Sequence, residues 1–186
     1  PRAALEQLVD VLAEEPGAGI VAFDGTVPYL CCGDVGDLAA VMPGYAKACR
    51  PLGCLPDFDA LKVNVFAPRD MPATVEFCER LNRSIEGIDF DVPMAGYLNI
   101  MPAGWNKGTA LQFLCDHVGI SVEEAVVFGD AGNDLTMFRV AGHPVAVGNA
   151  TPEASAAARW HIGRCEDDAV AAAIEALAAG EWPFAA

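Results

Sequence analysis

The sequence is short of several things, and each shortage excludes something. No apolar run approaches the roughly 18–20 residues of a membrane span. The start, PRAALEQLVDVLAEE, has no basic segment followed by an apolar core, so it does not read as a secretory signal. Basic residues are few: 11 Lys and Arg stand against 26 Asp and Glu, for a net charge of −15. That balance argues against nucleic-acid backbones and anionic membranes as partners, and it favours divalent cations. The seven cysteines form no C-x-x-C, and no His pair completes a zinc set. They read as reduced packing residues of a cytoplasmic protein, as Cys115 does within LQFLCDHV. There is no internal repeat, and nothing is of low complexity beyond Ala-rich stretches near the C-terminus. The first residue is Pro1 rather than Met, so the expectation is a chain that begins inside a longer product.

What is present is apolar material enough for a packed core. Hydrophobic residues make up 53% of 186, a length that suits one ordinary domain or two small ones. The organisation changes near residue 103. Before it come a helix-like start (3–14), a short apolar stretch (19–23) and a region rich in Gly, Pro and Cys that reads as loop (25–57). LKVNVFAP (61–68) alternates like a strand, ATVEFCERLNRSI (73–85) has helical spacing, and MAGYLNIMP (94–102) is a second strand-like run.

Beyond residue 103, helix and strand alternate. KGTALQFLCDHV (107–118) is amphipathic and stops at Gly119. AVVFG (125–129) reads as a strand, NDLTMFRVA (133–141) as a helix with Gly142 as a left-handed cap, and PVAVG (144–148) as a strand. Thr151-Pro152 opens a further helix, WHIG (160–163) is a short strand, and EDDAVAAAIEALAAG closes the chain. Near-continuous apolar strands separated by helices imply a parallel sheet covered on both faces.

Ligands of such sheets sit at the carboxyl ends of the strands. Asp130 lies one residue past AVVFG, and Gly129 reads as the residue that lets the backbone turn there. Asn133 and Asp134 begin the next helix, where free N–H groups favour negative charge. A carboxylate beside an anion-friendly helix start suits a Mg²⁺–phosphate pair. An ordinary turn closed by Asp130 and a helix capped by Asn133 is the competing reading. Lys107, at another helix start, opposes the helix dipole unless an anion binds there; alone it would read as a surface lysine. Asn149 follows the strand 144–148 at the same edge, as a site residue or a turn residue. Trp105 reads as lining a substrate mouth or as packing. His117, His143 and His161 have no ligand-like company.

Taken together, N-K-G-x-A-L (106–111), G-D-x-x-N-D-x-x-M-F (129–138) and V-A-V-G-N-A (145–150) resemble the C-terminal half of the haloacid dehalogenase-like phosphatases, most closely the Cof-type subgroup. The 23 residues from Lys107 to Asp130 match one helix plus one strand. LKVNVFAP, the helix after it and YLNIMPAGWNKG resemble the end of that subgroup's cap domain. The resemblance implies an α/β fold: part of a Rossmann-like parallel sheet with helices on both faces (104–186), plus an α+β cap (1–103). It implies phosphoryl transfer through an aspartyl-phosphate. Lys107 would neutralise phosphoryl charge, Asp130 would ligate Mg²⁺, Asn133 would contact the phosphate, and Asp134 would orient Lys107 and its neighbours.

The family's nucleophile belongs to a first motif, D-x-D-G-T. VAFDGTVPYL (21–30) contains D-G-T, but the nucleophile position would be Ala22, which cannot attack phosphorus. Asp24 therefore reads as a structural residue on a cap strand. The expectation is that the first core segment is missing, so that strand 125–129 forms an exposed or intermolecularly paired edge. Three readings stand: a truncated product, a partner chain that supplies the missing half, or a remnant with a binding role. The expected activity is a Mg²⁺-dependent phosphatase of small phosphorylated metabolites, sugar phosphates above all. The alternative is a non-catalytic binding or regulatory protein that keeps a Mg²⁺/phosphate half-site.

Overall fold

The computed structural model describes residues 1–184, and the chain divides into two compact units, 1–104 and 105–186. The first is α+β. Its elements in order are α1 (Arg2–Ala13), β1 (Gly19–Phe23), β2 (Pro28–Cys32), α2 (Val35–Val41), α3 (Pro43–Ala48), β3 (Arg50–Pro51), β4 (Lys62–Phe66), α4 (Met71–Ser84), β5 (Ile88–Met94) and β6 (Tyr97–Pro102). The strands form one sheet in the order β3-β2-β1-β4-β6-β5, antiparallel except where β2 meets β3. Period-two alternation splits its faces. Ile20, Ala22, Val65 and Leu98 pack against Leu8 of α1 and Leu81 of α4. Val21, Phe66 and Tyr97 pack against Leu38 of α2 and Tyr45 of α3.

The region 25–57 is therefore not loop. Asp34 caps α2 by accepting from the Gly36 N–H, and Pro43 stands in the first turn of α3. Both helices are too short to display a clear apolar period. β5 also escaped the sequence reading, which began its second strand at residue 94. In IDFDVPM Ile88 and Phe90 are buried in the core, Val92 is partly buried against it, and Pro93 interrupts the ladder where the register shifts between Asp91 and Met94.

D-G-T forms the hairpin between β1 and β2, one residue past the strand rather than on it. The Asp24 carboxylate accepts from the Thr26 hydroxyl (2.6 Å), the Thr26 N–H (2.8 Å), the Tyr29 hydroxyl (2.9 Å) and the Val27 N–H (3.2 Å). Gly25 supplies the positive φ that the turn needs. These donors, the Thr26 hydroxyl foremost, hold Asp24 well below the usual carboxylate range.

The second unit runs α5 (Lys107–Val118), β7 (Val126–Gly129), α6 (Leu135–Phe138), β8 (His143–Ala146), α7 (Pro152–Ala157), β9 (Trp160–His161) and α8 (Ala169–Ala178). β7, β8 and β9 pair in that order, all parallel. Val127 packs with Phe138 and Ala154 on one face, while Val145 packs with Ala173 and Phe184 on the other. The sheet is thus covered on both faces, as its apolar strands predicted. Among the described residues β7 pairs only with β8, so it is an edge strand.

Gly142 acts otherwise than as the expected helix cap. Gly142 is not left-handed. A Cβ there would lie 1.7 Å from the Glu123 carbonyl oxygen, so close backbone approach demands the glycine. The helix before it also ends sooner, at Phe138. The cysteines are unbridged among the described residues, but Cys54 and Cys165 are exposed rather than packed. Burial above all pushes the Cys31 thiol up to about 12 and Cys78 to about 11, which makes both poor nucleophiles. No helix among the described residues is long and apolar enough to cross a membrane.

Candidate functional site

The site candidates of the second unit gather at the carboxyl end of β7. The chain leaves the strand at Gly129, passes Asp130 and makes a 3-10 turn, Gly132–Asp134, before α6. Asp134 folds back under this turn. Its Oδ2 accepts from the Asp130 N–H (2.8 Å) and the Ala131 N–H (3.1 Å), and its Oδ1 pairs with the Lys107 ammonium. Gly129 is required by this return. A Cβ at 129 would lie 2.7 Å from the Asp134 Cβ, and neither unusual φ nor turn freedom is involved.

Lys107 is placed just as firmly. Asn106 caps α5, its Oδ1 accepting from the Gly108 and Thr109 N–H groups (2.9 and 3.1 Å), and the Thr109 hydroxyl accepts from the Asn106 N–H (2.8 Å). Gly108 presses on α6: a Cβ there would come within 2.5 Å of the Thr136 carbonyl oxygen, and its N–H also reaches the Thr136 hydroxyl at 3.2 Å. The cap and this contact fix the first turn of α5 against α6. They aim the Lys107 side chain at Asp134.

The pair is unequal in exposure, 47% for the Lys107 side chain and 2% for that of Asp134. Burial alone would raise the Asp134 pKa. The Lys107 ammonium and the two N–H groups outweigh it, and the carboxyl is held below its ordinary value. The result is an ammonium with one side anchored and the other open.

Asp130 is exposed, and among the described residues its carboxylate takes no hydrogen bond or ion pair. Its backbone is fixed: the N–H donates to Asp134, and the carbonyl accepts from the Thr151 N–H at 2.8 Å. Asn133 is half-buried in the 3-10 turn, and no hydrogen bond holds its amide among the described residues. Asn149 is exposed beyond β8, where its Oδ1 accepts from the Cys165 N–H at 3.1 Å and ties two loops together. Trp105 packs edge-on to Phe113 at 5.7 Å, an exposed pairing rather than core. Of the residues singled out from sequence, Lys107 and Asp134 touch, and Asp130 adjoins them through its N–H. Thr136 and Thr151 support them, and the sequence marked only Thr151, as a helix cap.

Chemically, a free carboxylate at a strand end is a hard oxygen ligand that fits Mg²⁺. Among the described residues no group of three His, Cys, Asp or Glu stands close enough to hold a metal. Asp134 cannot join Asp130 as a ligand while it is paired with Lys107. The arrangement thus fits one ligand of a metal site and one cationic anion anchor.

The family model for haloacid dehalogenase-like hydrolases matches residues 55–174. The HMP-PP phosphatase of Serratia proteamaculans is 35% identical over 118 residues, which are 62% of this chain and 38% of that protein. The phosphoglycolate phosphatase of Pyrobaculum aerophilum is 32% identical over 158 residues, 81% of this chain and 61% of that protein. A Streptococcus mutans protein of known crystal structure superposes with a TM-score of 0.81 at 20% identity, covering 96% of this chain and 68% of that one. The chain thus spans between about two fifths and three fifths of the length of the two curated relatives.

Proposed function

Because the chain belongs to the haloacid dehalogenase-like hydrolase family, we propose that residues 105–186 carry half of a Mg²⁺-dependent phosphatase site for small phosphorylated metabolites, such as sugar phosphates. One observation carries this reading. Lys107 is anchored to a buried Asp134 that also fixes the backbone of Asp130, so one turn presets an ammonium and a free carboxylate together.

In this reading Lys107 neutralises the phosphoryl oxygens as charge develops on them. Asp134 is the positioning residue: it keeps Lys107 in place and holds the N–H groups of the turn. Asn133 offers its amide to a phosphoryl oxygen, and Asn149, whose Oδ1 holds Cys165, offers Nδ2. Asp130 would ligate Mg²⁺, which when bound offsets phosphate charge. The phosphatase names of the relatives support the substrate class. Residues 1–103 act as the cap, and the family likeness supports that assignment.

The nucleophile is a carboxylate outside this chain. Asp24 does not serve, because all its donors belong to its own hairpin. The 186-residue chain alone should therefore hydrolyse generic phosphate esters with Mg²⁺ no faster than background. Clear turnover that is lost in Asp24→Asn would overturn this assignment. A second reading, a binding or regulatory protein without turnover, draws on the lack of a three-ligand metal cluster among the described residues. Turnover on adding a segment with an in-line D-x-D-G-T would decide for the enzyme.

A further inference from the structure

The starts of β8 and β9 hold an aromatic cluster that the half-site, at the carboxyl end of β7, does not use. His143 opens β8 and Trp160 opens β9. Trp160 stands in register with Val145, and period-two alternation puts His143 on the same face as Val145. After α8 the chain turns at Gly180, whose φ is +79°, and residues 181–184 return over this face as a strap. The two halves of the strap differ. Phe184 is buried with Val145 and Ala173, whereas Trp182 is 48% exposed. Trp182 lies edge-on to His143 at 4.8 Å and to Trp160 at 5.7 Å.

The strap covers polar atoms without serving them. His143 Nδ1 and Trp160 Nε1 are both buried, and neither has a hydrogen-bond partner among the described residues. Buried polar atoms without partners are rare in folded proteins. Trp160 Nε1 can only donate, and His143 Nδ1 donates when it carries the proton. The Arg159 guanidinium lies 4.9 Å from the Trp160 ring centroid. Among the described residues no ion pair engages it, although the chain carries 26 Asp and Glu. An unpaired cation and an unserved N–H at one indole call for a negatively charged acceptor. The rings of His143, Trp160 and Trp182 call for an aromatic body beside it.

We propose that this end of the sheet binds a small aromatic carboxylate, with Trp182 as its lid. The ligand's ring takes the place of Trp182 against His143 and Trp160. Its carboxylate accepts from Trp160 Nε1 and pairs with Arg159, and His143 Nδ1 is the second donor under the lid. Phe184 stays in the core, so only the exposed half of the strap opens. In the free chain the closed Trp182 competes with the ligand, and the affinity is scaled by the fraction of chains in which it stands open. The inference does not rest on the phosphatase reading, and its probes carry no phosphate.

The test is an NMR titration of the whole chain, read at the indole N–H signals of its three tryptophans. The probes are phenylacetate (ring and charge), phenylacetamide (ring only) and acetate (charge only). Phenylacetate should move the Trp160 and Trp182 signals saturably, leave that of Trp105 in place, and bind at least about tenfold more tightly than the other two. Arg159→Gln should weaken it by about tenfold. Trp182→Ala should tighten it by about fivefold or more, because the competing lid is gone. Loss of a mere wall of the pocket would weaken it instead. Thermal melts check that both variants are folded. No saturable shift at Trp160, equal binding of phenylacetate and phenylacetamide, an unchanged affinity in Arg159→Gln, or binding no tighter in Trp182→Ala would each overturn the proposal.

Discussion

A carboxylate with almost no accessible surface needs donors for both oxygens, and Asp134 has three: Lys107 and the N–H groups of Asp130 and Ala131. Asp134→Ala would leave those two N–H groups without an acceptor. We expect a loss of about 1–3 kcal/mol in urea unfolding. Lys107→Met should cost less, because the ammonium is half-exposed and solvent screens the pair. The two variants also differ with pH. The folded Asp134 pKa is lowered, so its contribution is complete above the unfolded value, about 3.9. It is lost as pH falls through the lower folded value. Lys107→Met removes the largest of the lowering causes, brings the folded value toward the unfolded one and so shrinks this contribution. Melts at neutral pH and near pH 4 should show the variant losing less stability than the parent over that interval, because it has less of this contribution to lose. An equal loss would mean that the N–H groups alone set the Asp134 pKa.

At the scale of elements, legibility in the sequence followed length and period. α5 was legible to the residue, because its cap Asn106, its apolar spacing and the left-handed Gly119 all agree. α2, α3 and β5 were not, being short or broken by proline, and their boundaries come from packing against β1, β4 and β6. The half-site was legible as residue types at a spacing. Its joining contact, Lys107 to Asp134, needs the strand return that only the fold supplies. Glycine shows the difference most clearly. Gly119 and Gly142 both follow apolar helical stretches and read alike as caps. In the fold Gly119 is left-handed with nothing within 4 Å of an added Cβ, whereas Gly142 is pressed against the Glu123 carbonyl. Gly119→Ala should cost about 1–2 kcal/mol of backbone strain. Gly142→Ala must push the Glu123 backbone away from β8, and should cost more, about 3 kcal/mol. Urea midpoints in the reverse order would show that the 122–124 turn yields without resistance.

For the whole molecule, two features of the second unit point outward. β7 is apolar and pairs on one side only among the described residues. α5 exposes Phe113, Leu114 and Val118 beyond the Leu111 stripe that packs inward, and Ile120 follows them. An open strand edge and a set of exposed apolar side chains are each a template for association. Against it stands the net charge of −15, which makes two copies repel. The two effects differ in range. Charge repulsion acts across solvent and is screened over about 8–10 Å near physiological salt, while strand pairing and apolar contact are short-ranged and unscreened. Association of this chain should therefore grow as salt rises. We expect sedimentation velocity to show a monomer at low ionic strength and a rising share of dimers or larger species toward about 0.15 M salt. The double variant Leu114→Lys, Val118→Lys reduces the net charge and so weakens repulsion, yet it should shift the equilibrium back toward monomer, because it removes exposed apolar surface from α5. Charge and contact thus predict opposite signs for one variant. Stronger association of the double variant would show that charge outweighs the apolar face of α5, and that this face takes no part.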